Sequence, residues 1–267
     1  MLATSLPALP ETLRFEQEGA VARLVFNRPN SRNALTLEMY EGLAAVCAAL
    51  PEDGPIRVLI LKGAGGRAFA AGTDMTEFRA FSGREDALAY EARMDGVLSA
   101  VENCAVPTIA ALAGACTGGG AAISACCDIR LSDARLKWGF PIARTLGNTL
   151  SVAVLARVER LLGAARLSEI ALSARLIEAE EALAAGLVSE ILADAEALDA
   201  RAEALAVTLA SHAPITLACL REGLRRLHRD GPGAEDADLI VRAYLSEDFT
   251  EGREAFLAKR KPQWRGR

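Results

Sequence analysis

The sequence predicts an α/β core followed by a helical C-terminal region. Three observations carry that prediction. Short apolar runs of strand type alternate with stretches of helical spacing, glycine-rich loops follow two of those runs, and the strand patterns stop near Ala195. The 267 residues, 51% hydrophobic and 24% charged, suffice for one large core with an appended subregion. The expected organisation is a core over residues 1–194 and a helical region over 195–267.

Taken in order, VARLVFN (Val21 to Asn27) alternates apolar and polar residues as a half-buried strand does. Thr36 to Leu50 has apolar residues at helical spacing, with Thr36 placed to cap the first turn. IRVLILKG (Ile56 to Gly63) is a continuous apolar run typical of a buried strand. The pattern recurs in PTIAAL (Pro107 to Leu112), in a glycine loop with a small apolar helix, TGGGAAISACCDI (Thr117 to Ile129), in DIRLSD (Asp128 to Asp133) and in LVSEIL (Leu187 to Leu192). Helical patterns then cover 195–210, 214–227, 235–245 and 248–261, broken at Gly231-Pro232-Gly233. The alanine, leucine and valine stripes on the middle two are expected to face the core or a neighbouring subunit.

Several function classes are disfavoured. A net charge of −5 does not suit a nucleic-acid partner, which wants a basic face. No basic segment leads into an apolar one at the N-terminus, and no apolar run approaches the roughly 18–20 residues needed to span a bilayer, so no membrane association and a cytoplasmic location are expected. The six cysteines sit among small apolar residues without paired spacing and are expected to be reduced core residues. Neither His212 nor His228 neighbours other metal ligands or a nucleophile elbow, so no metal site and no serine-hydrolase triad are expected.

The stretch AFAAGTDM (Ala68 to Met75) follows a buried strand and the glycine-rich turn from Gly63 to Gly66. No Lys-Ser/Thr pair follows those glycines and no G-x-G-x-x-G opens a helix, so neither nucleotide-binding loop is present. On its own the stretch reads as a tight turn at Gly72 with Asp74 capping a short helix. The triple glycine ahead of a helix is different, because it lets backbone N–H groups crowd against an anion at the positive end of the helix dipole.

These two loops, with RPNSRNAL (Arg28 to Leu35) ahead of them and AFLAKRKPQW (Ala255 to Trp264) behind, resemble in order the crotonase superfamily, the enoyl-CoA hydratase/isomerase family. The resemblance implies a spiral of strand-strand-helix turns with a C-terminal helical region that builds homotrimers, often paired as dimers of trimers. It implies an acyl-CoA or enoyl-CoA substrate, with coenzyme A as part of the substrate and no further cofactor. Family members stabilise an enolate-like oxygen with one backbone N–H from each loop; the matching residues are Thr73 and Gly119. Such fixed donors strengthen as charge develops on the thioester oxygen. Ser31 and Arg32 match the loop that runs along the CoA, with a surface arginine as the alternative for Arg32. Ala71, Asp74, Met75 and Thr76 match the border of the adenine and pantetheine tunnel. Phe256 and Lys259 match a pair that reaches the CoA of an adjacent subunit.

The same matching exposes a departure. Hydratases of this family carry one glutamate three residues beyond the middle glycine and a second after a proline in the next loop; here those positions hold Ala122 and Ile142. The oxygen site is framed, but both usual acid–base groups are missing, so the expectation is a hydratase/isomerase relative that stabilises a thioester enolate with an altered acid–base set, its reaction open to chemistry other than hydration, with a catalytically inactive thioester-binding protein as the alternative. A protease of the same fold is disfavoured for want of a usable histidine. Candidates around the acyl group are Cys116, Ala122, Ile142, Arg144 and Asn148, with Arg144 a possible partner for an acyl carboxylate or for a loop salt bridge. Cys116 is expected to fill space rather than attack. Glu77, Glu91 and Asp95 are the nearest remaining carboxylates, with helical surface positions as their expected home.

Overall fold

The computed structural model describes residues 8–79 and 81–267; the first seven residues of the expected core region, and Ala80, lie outside the described residues. An antiparallel pair, β1 (Leu13–Glu18) and β2 (Val21–Phe26), opens the chain and is followed by α1 (Leu37–Ala49). Thr36 caps that helix as expected, its hydroxyl oxygen accepting the Met39 N–H at 3.3 Å.

A longer strand, a shorter strand and helix then succeed one another three times. The first turn is β3 (Val58–Gly63), β4 (Ala68–Ala70) and α2 (Arg84–Glu102). The second is β5 (Thr108–Leu112), β6 (Ala115–Thr117) and α3 (Gly119–Cys126). The third is β7 (Ile129–Asp133) and β8 (Lys137–Gly139), with α4 (Ile142–Thr145), α5 (Val152–Leu162) and α6 (Ala164–Ser173). After β9 (Ile177–Glu178), α7 (Ala179–Ala184) and β10 (Ile191–Leu192), four helices close the chain: α8 (Ala195–Ala210), α9 (Pro214–Asp230), α10 (Ala237–Tyr244) and α11 (Glu247–Leu257).

The longer strands collect into a six-stranded sheet of order β1-β2-β3-β5-β7-β10, and the shorter ones into a four-stranded sheet of order β4-β6-β8-β9. Successive turns add one parallel strand to each sheet, which makes the core a spiral. Both faces of the large sheet are covered. On β3, Leu59 and Leu61 face the main core with α1 and α2, while Val58 and Ile60 face Leu198, Ala202 and Ala206 of α8. That two-sided burial is why the run from Ile56 to Gly63 is continuously apolar. The helical region from Ala195 thus begins as the cover of the sheet's second face.

Several elements differ from expectation. Of LVSEIL only Ile191–Leu192 pairs as strand, because the Leu187 and Val188 N–H groups turn back to the Ala182 carbonyl and close α7. The last helix ends at Leu257 rather than near Lys261, where Lys259 takes a left-handed conformation (φ 52°) and the Arg260 N–H returns to the Ala255 carbonyl. Helix α9 runs three residues further than its apolar stripe, to Asp230.

Candidate active site

The site grows from the ends of the two short central strands. β4 and β6 are parallel, with Ala68 opposite Ala115 and Ala70 opposite Cys116, so the loops that leave them emerge side by side. They touch through backbone: a methyl built on Gly118 would lie 3.4 Å from the Gly72 Cα. Gly118 itself has φ 53° and ψ −119°, a conformation open essentially to glycine, and it caps α3.

Thr73 pairs with Leu35 as an isolated parallel bridge. The Leu35 N–H donates to the Gly72 carbonyl and the Asp74 N–H to the Leu35 carbonyl, both at 2.8 Å. An extended chain alternates its amides, so the intervening Thr73 N–H points to the other side. Gly119 is the first residue of α3, where helical amides have no partner within the helix. Among the described residues neither N–H meets an acceptor, and both residues line the same cavity. Two such donors converging on one space can hold an oxygen that carries negative charge.

Two tyrosines fix this corner. The Thr73 hydroxyl lies 2.9 Å from the Tyr40 hydroxyl and 2.8 Å from that of Tyr90. Burial pushes the Tyr40 phenol well above its ordinary range and raises that of Tyr90 as well, so both remain neutral hydrogen-bonding groups. Tyr40 also explains Gly119: a methyl there would come within 1.8 Å of the Tyr40 hydroxyl oxygen. No local motif in the sequence singles out either tyrosine, although the chain has only three and two of them line this cavity.

The cavity encloses about 300 Å³, the lower end of the range for a small-molecule pocket. Its inner wall is hydrocarbon: Met94 and Leu98 of α2, Ala122 of α3, Phe140, Ile142 and Val154. Its mouth carries Thr145, Asn148, Thr149 and Ser151. The lining contains one ionisable carboxylate, Glu91, and no histidine, lysine, arginine or cysteine among the described residues. Tyr90, Glu91, Met94 and Leu98 recur at helical spacing, so they form one face of α2. Glu91 makes no hydrogen bond or ion pair with another described residue, whereas Asp95 pairs with Arg157 and Glu102 with Arg157 and Arg160. Burial, with the negative Asp95 one turn away, holds the Glu91 carboxyl above the usual carboxylate range.

The expected site residues divide into two groups. Ala71, Thr73, Met75, Gly119, Ala122, Ile142 and Asn148 meet at the cavity. Ser31 and Arg32 are exposed and stand beside it, the Arg32 carbonyl accepting the Ala71 N–H at 3.1 Å. Their loop is anchored by buried Asn33, which accepts the Arg28 N–H and donates to the Ala64 and Ala68 carbonyls. Asp74 and Thr76 engage each other: the Thr76 N–H and hydroxyl donate to one Asp74 oxygen at 3.0 and 2.8 Å, and Arg28 donates to the other at 2.7 Å. Those hydrogen bonds draw the Asp74 carboxyl down to about 2.

Four expected residues lie elsewhere. Cys116 is in strand β6, where alternation turns it away from Thr117 and the cavity toward the Ser124 hydroxyl; burial pushes its thiol up to about 12. Arg144 sits off the face of α4 that presents Ile142 and Thr145 and is exposed. Phe256 and Lys259 are exposed near the end of α11 and do not line the cavity of their own chain. In the other direction, Glu91, expected on a helical surface, lines the cavity, while Glu77 and Asp95 do not.

Comparison with known proteins matches residues 16–267 to the family model described as enoyl-CoA hydratase/isomerase. A Bacillus subtilis (strain 168) protein named "Probable enoyl-CoA hydratase" is 35% identical over 249 residues, covering 92% of this chain and 95% of its own. The "Short-chain-enoyl-CoA hydratase" of Clostridium acetobutylicum is 30% identical over 254 residues, covering 92% and 94%. The crystal structure of an enoyl-CoA hydratase/carnithine racemase from Magnetospirillum magneticum superposes with a TM-score of 0.90 at 37% identity, covering 97% of each chain. With the spiral of paired strands, these matches make the chain a hydratase/isomerase-like enzyme that belongs to the enoyl-CoA hydratase/isomerase family, the crotonase superfamily.

Proposed function

We infer that the protein binds an acyl-CoA or enoyl-CoA thioester and stabilises its enolate through the N–H groups of Thr73 and Gly119. The observation that carries this reading is a pair of amides that meet no acceptor among the described residues, at the head of one apolar cavity. A thioester oxygen gains charge as the acyl group becomes an enolate, and donors fixed in advance by the Leu35 bridge and by α3 need no reorganisation to meet it. Coenzyme A enters as part of the substrate, and its chain would leave the cavity past Ala71 and Met75 toward Ser31 and Arg32. Asp74 and Thr76 serve there by holding the loop's shape. The acyl group would lie against Ala122, Ile142 and Asn148.

The reaction is read as one other than hydration, since Ala122 and Ile142 offer no proton carrier. The same hydrocarbon wall favours a second reading, a CoA-thioester binding protein without turnover. Assaying a series of acyl-CoA and enoyl-CoA thioesters for turnover, beside calorimetric binding of free CoA, separates the two. Tighter binding of thioesters than of CoA, with turnover of at least one, is expected. Binding without any turnover selects the second reading, and failure of every thioester to bind contradicts both.

The assembly is proposed to be a homotrimer or a dimer of trimers in which Phe256 and Lys259 of one copy approach the CoA of another. The helical region leaves Leu220, Leu224, Ile240, Val241, Tyr244 and Leu245 half or more exposed, apolar surface that a neighbouring copy would cover. Sedimentation at micromolar concentration is expected to show the trimer or its multiple. A monomer under those conditions would contradict both the assembly and the roles of Phe256 and Lys259.

A further inference from the structure

We propose that Glu91 of α2 is the general base of this site, its carboxylate taking the α-proton of the bound acyl thioester. The proposal rests on the reading that Thr73 and Gly119 hold the thioester oxygen. Four features of the structure converge on it. Glu91 is the one carboxylate of the cavity lining, and no imidazole, amine or thiol competes with it there among the described residues. It lies on the face of α2 that Tyr90, Met94 and Leu98 turn to the cavity. Its neighbour Tyr90 hydrogen-bonds the Thr73 side chain at 2.8 Å, which fixes this turn of the helix beside the oxygen site. Finally, Glu91 is half-buried yet engaged by no other described residue, while the nearby acids Asp86, Asp95 and Glu102 are all committed to partners.

The chemistry balances without a co-reactant. The carboxylate takes the proton from Cα, the C–H electron pair becomes part of a carbon–carbon double bond to the carbonyl carbon, and the carbonyl π pair moves to the oxygen between the two N–H groups. The carboxylic acid so formed then returns a proton to Cα. Where a β,γ double bond is conjugated, it delivers the proton at Cγ instead, and the double bond moves by one position. A carboxyl whose affinity for protons is raised by burial is a better base for a weakly acidic carbon than an ordinary surface carboxylate. Because Glu91 is only half-buried, its proton exchanges with solvent between turnovers.

The test is deuterium incorporation at Cα of butyryl-CoA in D₂O, read by mass spectrometry, beside binding by calorimetry and the infrared carbonyl stretch of the bound thioester. The native protein is expected to bind butyryl-CoA, to shift the carbonyl stretch to lower frequency and to introduce deuterium. Glu91→Gln, which keeps a good helix former, is expected to retain binding and the shifted stretch while exchange falls roughly 10²–10⁴-fold. Glu91→Asp is expected to keep part of the exchange. Unimpaired exchange in Glu91→Gln, or a shifted carbonyl in a native protein that exchanges nothing, overturns the role of Glu91. No binding, or binding with an unshifted carbonyl, overturns instead the oxygen-site reading on which it rests.

Discussion

Crotonyl-CoA is expected to be hydrated by the native protein at least roughly 10²–10⁴-fold more slowly than by a relative with both glutamates. Water is a weak nucleophile, and its attack on Cβ needs one group to take its proton and another to deliver a proton at Cα. Each positioned acid or base contributes roughly 10²–10⁴ in rate, and among the described residues the cavity holds one carboxylate, on α2, instead of two. Ala122 and Ile142 occupy the places where the resemblance puts the missing pair. The double change Ala122→Glu with Ile142→Glu is expected to raise hydration and to lower stability. Ala122 is buried beside other apolar side chains, and a carboxylate there must be desolvated or stay protonated. Loss of enoyl absorbance with purified native protein is the measurement. Turnover equal to that of an efficient hydratase would show that Glu91 and the polar mouth carry out both proton transfers.

Removing the Gly119 N–H is expected to lower kcat about 10²–10³-fold on the true substrate, the typical effect of deleting one oxyanion donor. Proline at position 119 deletes that donor and suits the first position of a helix. By itself, however, Gly119→Pro is a poor probe, because any β-carbon there meets the Tyr40 hydroxyl at 1.8 Å and the ring carbon that bears it at 3.0 Å. The informative comparison is Gly119→Pro with Tyr40→Phe against Gly119→Ala with Tyr40→Phe. Both carry the added carbon and lack the hydroxyl; only the alanine variant keeps the N–H. Equal kcat in two folded double variants would remove Gly119 from the oxygen site.

Much of this architecture is legible in the sequence where burial is two-sided. Strands β3 and β5 are central in the large sheet and buried on both faces, so their apolar runs are unmistakable. By contrast, β1 is an edge strand with the mixed sequence LRFEQE, and β4, β6 and β8 are three residues each, too short to show a period. The misplacement of Cys116 follows from that brevity. A three-residue strand shows no alternation in the sequence that would turn this side chain away from the loop it adjoins.

The candidate site shows the same division. Its loops and the two methyl-bearing positions are local features and could be read directly. Tyr40, Tyr90 and Glu91 come together with Thr73 only because α1 and α2 pack against each other beside the loop that follows β4. Glu91 illustrates the limit well. Helix α2 carries many polar residues and is exposed along much of its first half, so a glutamate there resembles a solvent-facing one until the cavity face is known.

The central claim is that the thioester oxygen sits between the amides of Thr73 and Gly119, and a crystal structure with a bound acyl-CoA tests it most directly. The oxygen is expected about 2.7–3.1 Å from both backbone nitrogens, with the acyl chain against Ala122 and Ile142 and the CoA chain leaving past Ala71. A thioester bound with its oxygen out of reach of both nitrogens would contradict the account.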